Sequence, residues 1–226
     1  MAIPFKLPRF YPILDTTVLN DREYPVLLAA EALIEAGAKI LQYRHKATWT
    51  QAQFDEAQQV NEMCNEAGVL FVLNDRADFA RLLNAALHVG QEDLPPVAAR
   101  KIISDEVMGL SAHNRQQLMR GNEEPVEYVS LGPIFATTSK LRPDPVLGIE
   151  GLARLRPLTS KPLCAIGGIT LSNAQDVLQA GADSIAVISA ILPEQFNRHE
   201  LKKRAEEWIA ILGLGPSLER NRCPAP

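Results

Sequence analysis

The residues best suited to chemistry gather in short polar clusters, each closing an apolar run. Gln42-Tyr43-Arg44-His45-Lys46 follows one such run, Asn74-Asp75 a second, Gln91-Glu92-Asp93 a third and Ser111-Ala112-His113 a fourth. Arg44 and Lys46, two residues apart at one strand end, suit an anion with several oxygens. Two carboxylates at the ends of adjacent strands suit a hard cation: Mg2+ takes one or two protein carboxylates and fills its shell with water and phosphate oxygens. Further along, Gly132-Pro133-Ile134-Phe135 leads into Ala136-Thr137-Thr138-Ser139-Lys140, a polar stretch whose hydroxyls and ammonium can hold phosphate. Ile166-Gly167-Gly168-Ile169-Thr170 and Ile188-Ser189-Ala190 each lead into a helical pattern. Glycine lets a backbone approach closely, and the free N–H groups of a helix start point at an anion.

Each cluster also has a plainer reading. Arg44 can pair a structural carboxylate while Lys46 is solvated. Asp75 and Asp93 can each cap a helix. A histidine such as His113 is more often a hydrogen-bonded structural residue than a catalyst. The stretch from Ala136 to Leu147, broken by Pro143 and Pro145, is either a lid over substrate or a surface loop. The two glycines can serve packing alone. Taken together, the clusters favour two anion sites. One, of Arg44, Lys46 and Lys140 with Asp75 and Asp93, suits a diphosphate bridged by Mg2+, because carboxylates beside cations at an anion site call for a metal. The other, at Gly168 and Ser189, suits a monophosphate. No nucleophile–base pair is evident.

The elements that must position these clusters alternate. Strand patterns fall at Tyr11–Asp15, Lys39–Arg44, Leu70–Asn74, Ala86–Gly90, Val107–Ala112, Tyr128–Ile134, Pro162–Gly168 and Ser184–Ala190. Helical patterns lie between them, at Tyr24–Ala36, Thr50–Ala67 and Leu171–Ala180, the last opened by Ser172 and Asn173, and a final one spans Pro193–Leu212. Strands alternating with helices pair in parallel. Eight units within 226 residues predict an α/β fold, a single (β/α)8 TIM barrel, whose chemistry sits at the C-terminal strand ends. A doubly wound sheet would want a Gly-rich turn after the first strand, where Asp15-Thr16-Thr17 stands. The barrel is expected over residues 1–212 with a short N-terminal extension, followed by a Pro-rich, disordered tail at 213–226.

Composition sets the outer limits. Hydrophobic residues make up 46% and charged residues 22%, with a net charge of -4, an ordinary soluble balance without the basic footprint of a nucleic-acid binder. The three cysteines, Cys64, Cys164 and Cys223, show no metal-ligand spacing. No run suits a signal peptide or a membrane span, so the expected location is the cytoplasm. The sequence does not specify an oligomeric state; a homodimer is the working expectation.

The ordered set Q-Y-R-H-K, L-N-D-R, H-V-G-Q-E-D, S-A-H, G-P-I-F-A-T-T-S-K, A-I-G-G-I and V-I-S-A-I, spread over residues 11–211, resembles the thiamine-phosphate synthase family. The resemblance implies a transferase that joins hydroxymethylpyrimidine diphosphate to thiazole phosphate, plain or carboxylated, with loss of diphosphate through a pyrimidinyl carbocation. It implies that Gln42, Arg44, Lys46, Asn74, Ser111 and Lys140 hold the pyrimidine diphosphate, with Arg44, Lys46, Ser111 and Lys140 acting in catalysis. Tyr43 and His45 join that set, although whether they touch substrate or face the helices is open. Thr137, Thr138, Ser139, Gly168, Ile188 and Ser189 fall to the thiazole phosphate, and Asp75 and Asp93 to Mg2+. Ala85-Ala86, Ala136 and Ser139 depart from frequent family residues, with little effect expected. A thiazole tautomerase of the same fold, using His113 for proton transfer, is the alternative; that relative typically lacks the Asn-Asp and Gln-Glu-Asp clusters kept here. A non-catalytic regulatory relative is a second alternative, which should have lost a polar site residue.

Overall fold

Period two along each strand decides the architecture. A computed structural model describes residues 5–137 and 144–213. Its strands are β1 (Phe10–Asp15), β2 (Ile40–Arg44), β3 (Leu70–Asn74), β4 (Ala86–Val89), β5 (Met108–Ala112), β6 (Tyr128–Leu131), β7 (Leu163–Ile166) and β8 (Ser184–Val187). All neighbouring pairs are parallel, and β8 closes onto β1, so the sheet is the expected closed barrel. The helices are α1 (Thr16–Asn20), α2 (Val26–Glu35), α3 (Gln51–Glu66), α4 (Ala77–Leu83), α5 (Pro96–Ile103), α6 (Arg115–Glu123), α7 (Gly148–Leu155), α8 (Ala174–Gln179) and α9 (Arg198–Gly213).

Alternate strand residues build two cores. Leu41, Tyr43, Leu73 and Leu87 face outward and pack beneath the helices with Leu33, Val60 and Trp208. Burying each such aliphatic side chain contributes about 1.5–3 kcal/mol. Tyr11, Ile40, Val72, Ala86, Tyr128, Cys164 and Ala186 face inward and fill the barrel. Phe5 and Leu7, ahead of β1, join this inner cluster, so the N-terminal extension closes the end of the barrel opposite the mouth. α9 packs on α2, and Trp208 stacks on Phe10 at 6.3 Å between ring centroids. Cys64 and Cys164 are buried, and burial pushes both thiols up to about 12, as suits inert packing residues.

The differences from the sequence-based boundaries have local causes. The final helix starts at Arg198 rather than Pro193, because Asn197 accepts the Glu200 N–H at 3.0 Å and the Pro193 carbonyl accepts the Tyr24 hydroxyl at 2.5 Å. α8 starts at Ala174 rather than Leu171; Asn173 spends its side-chain oxygen on the Thr170 N–H, at 2.8 Å. β6 ends at Leu131, yet the chain beyond it stays tied to the end of β7: the Ile134 and Phe135 N–H groups donate to Ile166 and Gly167, both at 2.9 Å. Cys223 and the expected tail from 214 onward lie outside the described residues. No described helix is long and apolar enough to cross a membrane.

Candidate active site

The C-terminal strand ends surround a cavity of about 990 Å³ lined by residues of every polar cluster above. Its size fits a drug-sized ligand or larger. From β2, Gln42 and Arg44 face inward and Lys46 follows two residues on. Tyr43 and His45 do not line the cavity, which corrects their assignment to substrate. Period two turns them outward: the Tyr43 hydroxyl donates to Glu56 at 2.7 Å, and His45 bonds Thr16 at 2.8 Å and meets Trp49 edge-on. Their role is to anchor the loop that carries Lys46.

Arg44 bonds the carboxylate of Asp15, which is only 2% exposed and caps α1 by accepting the Thr17 and Val18 N–H groups at 3.1 Å. The structural partner is thus real, and it holds a guanidinium that still lines the cavity. Lys46 is not merely solvated: its Nζ lies 2.5 Å from Asp75 and 4.0 Å from Asp93.

Neither carboxylate caps a helix. The residues ahead of α4 and α5 are Arg76 and Pro95. Asp75 sits at φ 66°, a left-handed conformation that Asp tolerates better than most residues. Asp93 is aimed by the Gly90 N–H, which donates to its Oδ2 at 2.7 Å. Burial, then the hydrogen bond with the Asp93 carboxyl, push Asp75 up to about 6 against the pull of Lys46. Burial also works to raise Asp93, but its hydrogen bonds with Asp75 and the Gly90 N–H outweigh it and hold the group below the usual range. Two carboxyls so close that one resists ionisation mark a place where a cation is welcome. Among the described residues no third acidic, histidine or cysteine side chain joins them, so these two carboxylates are the groups that would hold a divalent ion. Beside them, Asn74 lines the cavity, and its side-chain nitrogen is buried with no hydrogen-bond partner among the described residues. Leaving such a group unpaired costs about 1–3 kcal/mol, which a bound acceptor would recover.

Across the cavity lie Thr137, Gly168, Ile188 and Ser189. Gly167 and Gly168 have φ of 100° and 63°. A Cβ on Gly168 would stand 2.4 Å from the Ala136 carbonyl oxygen, so the packing reading of this glycine holds and serves the site. It lets the segment after β6 lie against the β7 end. Thr138, Ser139 and Lys140 lie outside the described residues. His113 lines the cavity, but its Nδ1 donates to the Gly132 carbonyl at 2.7 Å. That bond fixes the orientation of the ring and leaves its Nε2 toward the site, so His113 does not separate the two reactions.

Sequence reasoning missed a buried polar chain under the mouth. His88, from β4, is 7% exposed; its Nδ1 lies 3.0 Å from the Tyr128 hydroxyl and its Nε2 2.9 Å from Ser111 Oγ. The Tyr11 hydroxyl lies 2.8 Å from that of Tyr128 and accepts from Gln42 Nε2 at 2.7 Å. Burial lowers His88 to about 4, so its ring is neutral at pH 7. The available signal was His88 two residues before Gly90, on the inward face of an otherwise apolar strand. Gln91 donates to the Ser111 carbonyl at 2.5 Å and is itself held by Arg120, so Ser111 is fixed at both backbone and side chain.

Comparison with known proteins follows the same line. The family model described as Thiamine monophosphate synthase matches residues 10–191. The thiamine-phosphate synthase of Koribacter versatilis is 41% identical over 216 residues, covering 94% of this chain and 99% of its own. That of Chloroflexus aurantiacus is 39% identical, covering 81% and 85%. The solved thiamine phosphate pyrophosphorylase from Pyrococcus furiosus superposes with a TM-score of 0.78 at 28% identity, covering 91% of this chain and 95% of its own. A Mycobacterium tuberculosis tryptophan synthase structure matches with a TM-score of 0.66 at 16% identity, covering 92% and 93%, and shares the fold alone.

Proposed function

The chain belongs to the thiamine monophosphate synthase family, and from that premise we propose how its cavity divides between two substrates. The enzyme is a transferase of thiamine biosynthesis: it joins hydroxymethylpyrimidine diphosphate to thiazole phosphate and releases diphosphate. We place the diphosphate at Arg44, Lys46, Asn74, Asp75 and Asp93, the pyrimidine over Gln42 and Ser111, and the thiazole phosphate at Thr137, Gly168, Ile188 and Ser189. Lys140, Thr138 and Ser139 complete these sets by the resemblance. The observation that carries the division is the Asp75–Lys46–Asp93 cluster beside the unpaired Asn74 nitrogen, set across the cavity from Gly168 and Ser189.

Mg2+ held by Asp75 and Asp93 would neutralise charge on the departing diphosphate. The protein's own part is positioning and electrostatics. Arg44, preset by Asp15, and Lys46 hold oxygens of the leaving group. Asn74 donates to it. Ser111 and Gln42 orient the ring so that its exocyclic carbon faces the thiazole nitrogen as diphosphate departs. A pyrimidinyl cation formed there needs no protein nucleophile.

The division is tested with two variants. Ser189→Glu puts a negative charge against the thiazole phosphate, a repulsion of several kcal/mol. It is expected to weaken that ligand by about 100-fold in calorimetry, with the pyrimidine diphosphate bound as in the parent. Lys46→Ala is expected to do the reverse. Equal losses for both ligands in both variants would remove the two-site reading.

A further inference from the structure

We propose that a one-directional hydrogen-bond chain from Gln42 through Tyr11, Tyr128 and His88 fixes the Ser111 hydroxyl as a donor into the cavity, with Tyr128 as its central positioning residue. This rests on the placement of the pyrimidine over Gln42 and Ser111.

The direction follows from what each group can give. The Gln42 amide nitrogen has only hydrogens to offer, and it donates to the Tyr11 oxygen. The Tyr11 hydrogen then has the Tyr128 oxygen as its acceptor, at 2.8 Å. The Tyr128 hydrogen in turn goes to His88 Nδ1, at 3.0 Å. A neutral imidazole with an accepting Nδ1 carries its hydrogen on Nε2. His88 therefore donates to Ser111 Oγ at 2.9 Å, and the Ser111 hydrogen is left over. In the ligand-free protein the nearest acceptor for it is Ser130 Oγ, at a long 3.3 Å. An acceptor atom on a bound heteroaromatic ring is a better partner. Burial supports the assignment of states: both phenols are raised above their ordinary value and keep their hydrogens.

Tyr128 is built into place more firmly than its neighbours. Its ring fills a notch that exists because residue 109 is glycine: a Cβ there would lie 2.1 Å from the ring. It stacks on His88 at 5.6 Å and 29°, and meets Tyr11 edge-on at 6.1 Å. From below, Phe5 packs on it at 6.2 Å. The plug at the closed end of the barrel thus supports the group that sets the polarity of the open end. Tyr128 itself does not line the cavity; it acts through His88.

The test reads the His88 tautomer by 15N NMR of the ligand-free, histidine-labelled enzyme, with the signals assigned by their loss in His88→Asn. The expected result is a bare Nδ1 and a protonated Nε2. A protonated Nδ1 with a bare Nε2 means the chain runs the other way and overturns the proposal, as does an equal mixture. Tyr128→Phe keeps the ring in its notch and removes only the hydroxyl. It is expected to give a mixed tautomer and to lower kcat about ten-fold, the value of one hydrogen bond, with the KM for thiazole phosphate unchanged. A Tyr128→Phe enzyme with the parent tautomer and the parent kcat also overturns it. Because the tautomer is read without substrate, its failure is told apart from a failure to form thiamine phosphate.

Discussion

Asp75→Asn is expected to lower kcat/KM for hydroxymethylpyrimidine diphosphate by about 100- to 1000-fold, with little change in thermal stability. Asparagine is the right replacement because it also tolerates the left-handed backbone at φ 66°. The hydrogen bond from the Asp75 N–H to the His88 carbonyl, at 2.8 Å, is a backbone bond and survives. What is lost is one negative charge from the pair that faces Lys46. Removing a ligand from a metal that stabilises a leaving group costs several kcal/mol at the transition state, which the rate constant reads as two to three powers of ten. The remaining activity should need more Mg2+ than the parent's does. Steady-state kinetics at a series of Mg2+ concentrations checks both points. Parent-like kinetics at limiting Mg2+ would show that Asp75 serves only to hold Lys46.

Gly168→Ala should raise the KM for thiazole phosphate by about 100-fold and cost about 2–3 kcal/mol of stability. Its added Cβ would stand 2.4 Å from the Ala136 carbonyl oxygen and 2.9 Å from the Phe135 carbonyl carbon, backbone atoms that cannot swing aside. The φ of 63° adds the left-handed penalty, about 1 kcal/mol. The segment through Thr137 would move off the β7 end and take part of the phosphate site with it. Gly148→Ala separates the two effects. Gly148 has φ 70° but nothing within 4 Å of its Cβ position, so it carries the strain without the collision. It is expected to lose about 1 kcal/mol and to keep the parent KM. A KM raised equally in both variants would mean that backbone strain, not the position of the Ala136 segment, governs the site, and parent values in both would mean that neither does.

The barrel was legible because parallel strands buried on both faces read as short apolar runs, and eight of them alternate with amphipathic stretches. Their order sufficed for the topology, and helices beginning a few residues late did not disturb it. The end of the β6 run could not be read locally, since the segment at Ile134–Phe135 is held by backbone bonds to β7 rather than by its own pattern. Within the site, residues two apart were legible and residues one apart were not separated. Gln42, Arg44 and Lys46 face the cavity as period two requires, while Tyr43 and His45 between them face the helices, where aromatic packing against Trp49 and a bond to Glu56 claim them. The plainer readings also had some weight. Arg44 does pair a structural carboxylate, but Asp15 lies 29 residues away in sequence, a distance at which no spacing rule applies. His88, Tyr11 and Tyr128 escaped notice for a similar reason. Each is one polar side chain on a largely apolar strand, and only closure of the barrel brings β1, β4 and β6 within hydrogen-bond reach of one another.

The measurement that tests the central claim most directly is diphosphate release by the purified enzyme given hydroxymethylpyrimidine diphosphate and thiazole phosphate, with and without Mg2+. The account predicts Mg2+-dependent release matched mole for mole by thiamine phosphate. Folded protein that leaves both substrates intact in the presence of Mg2+ would contradict it.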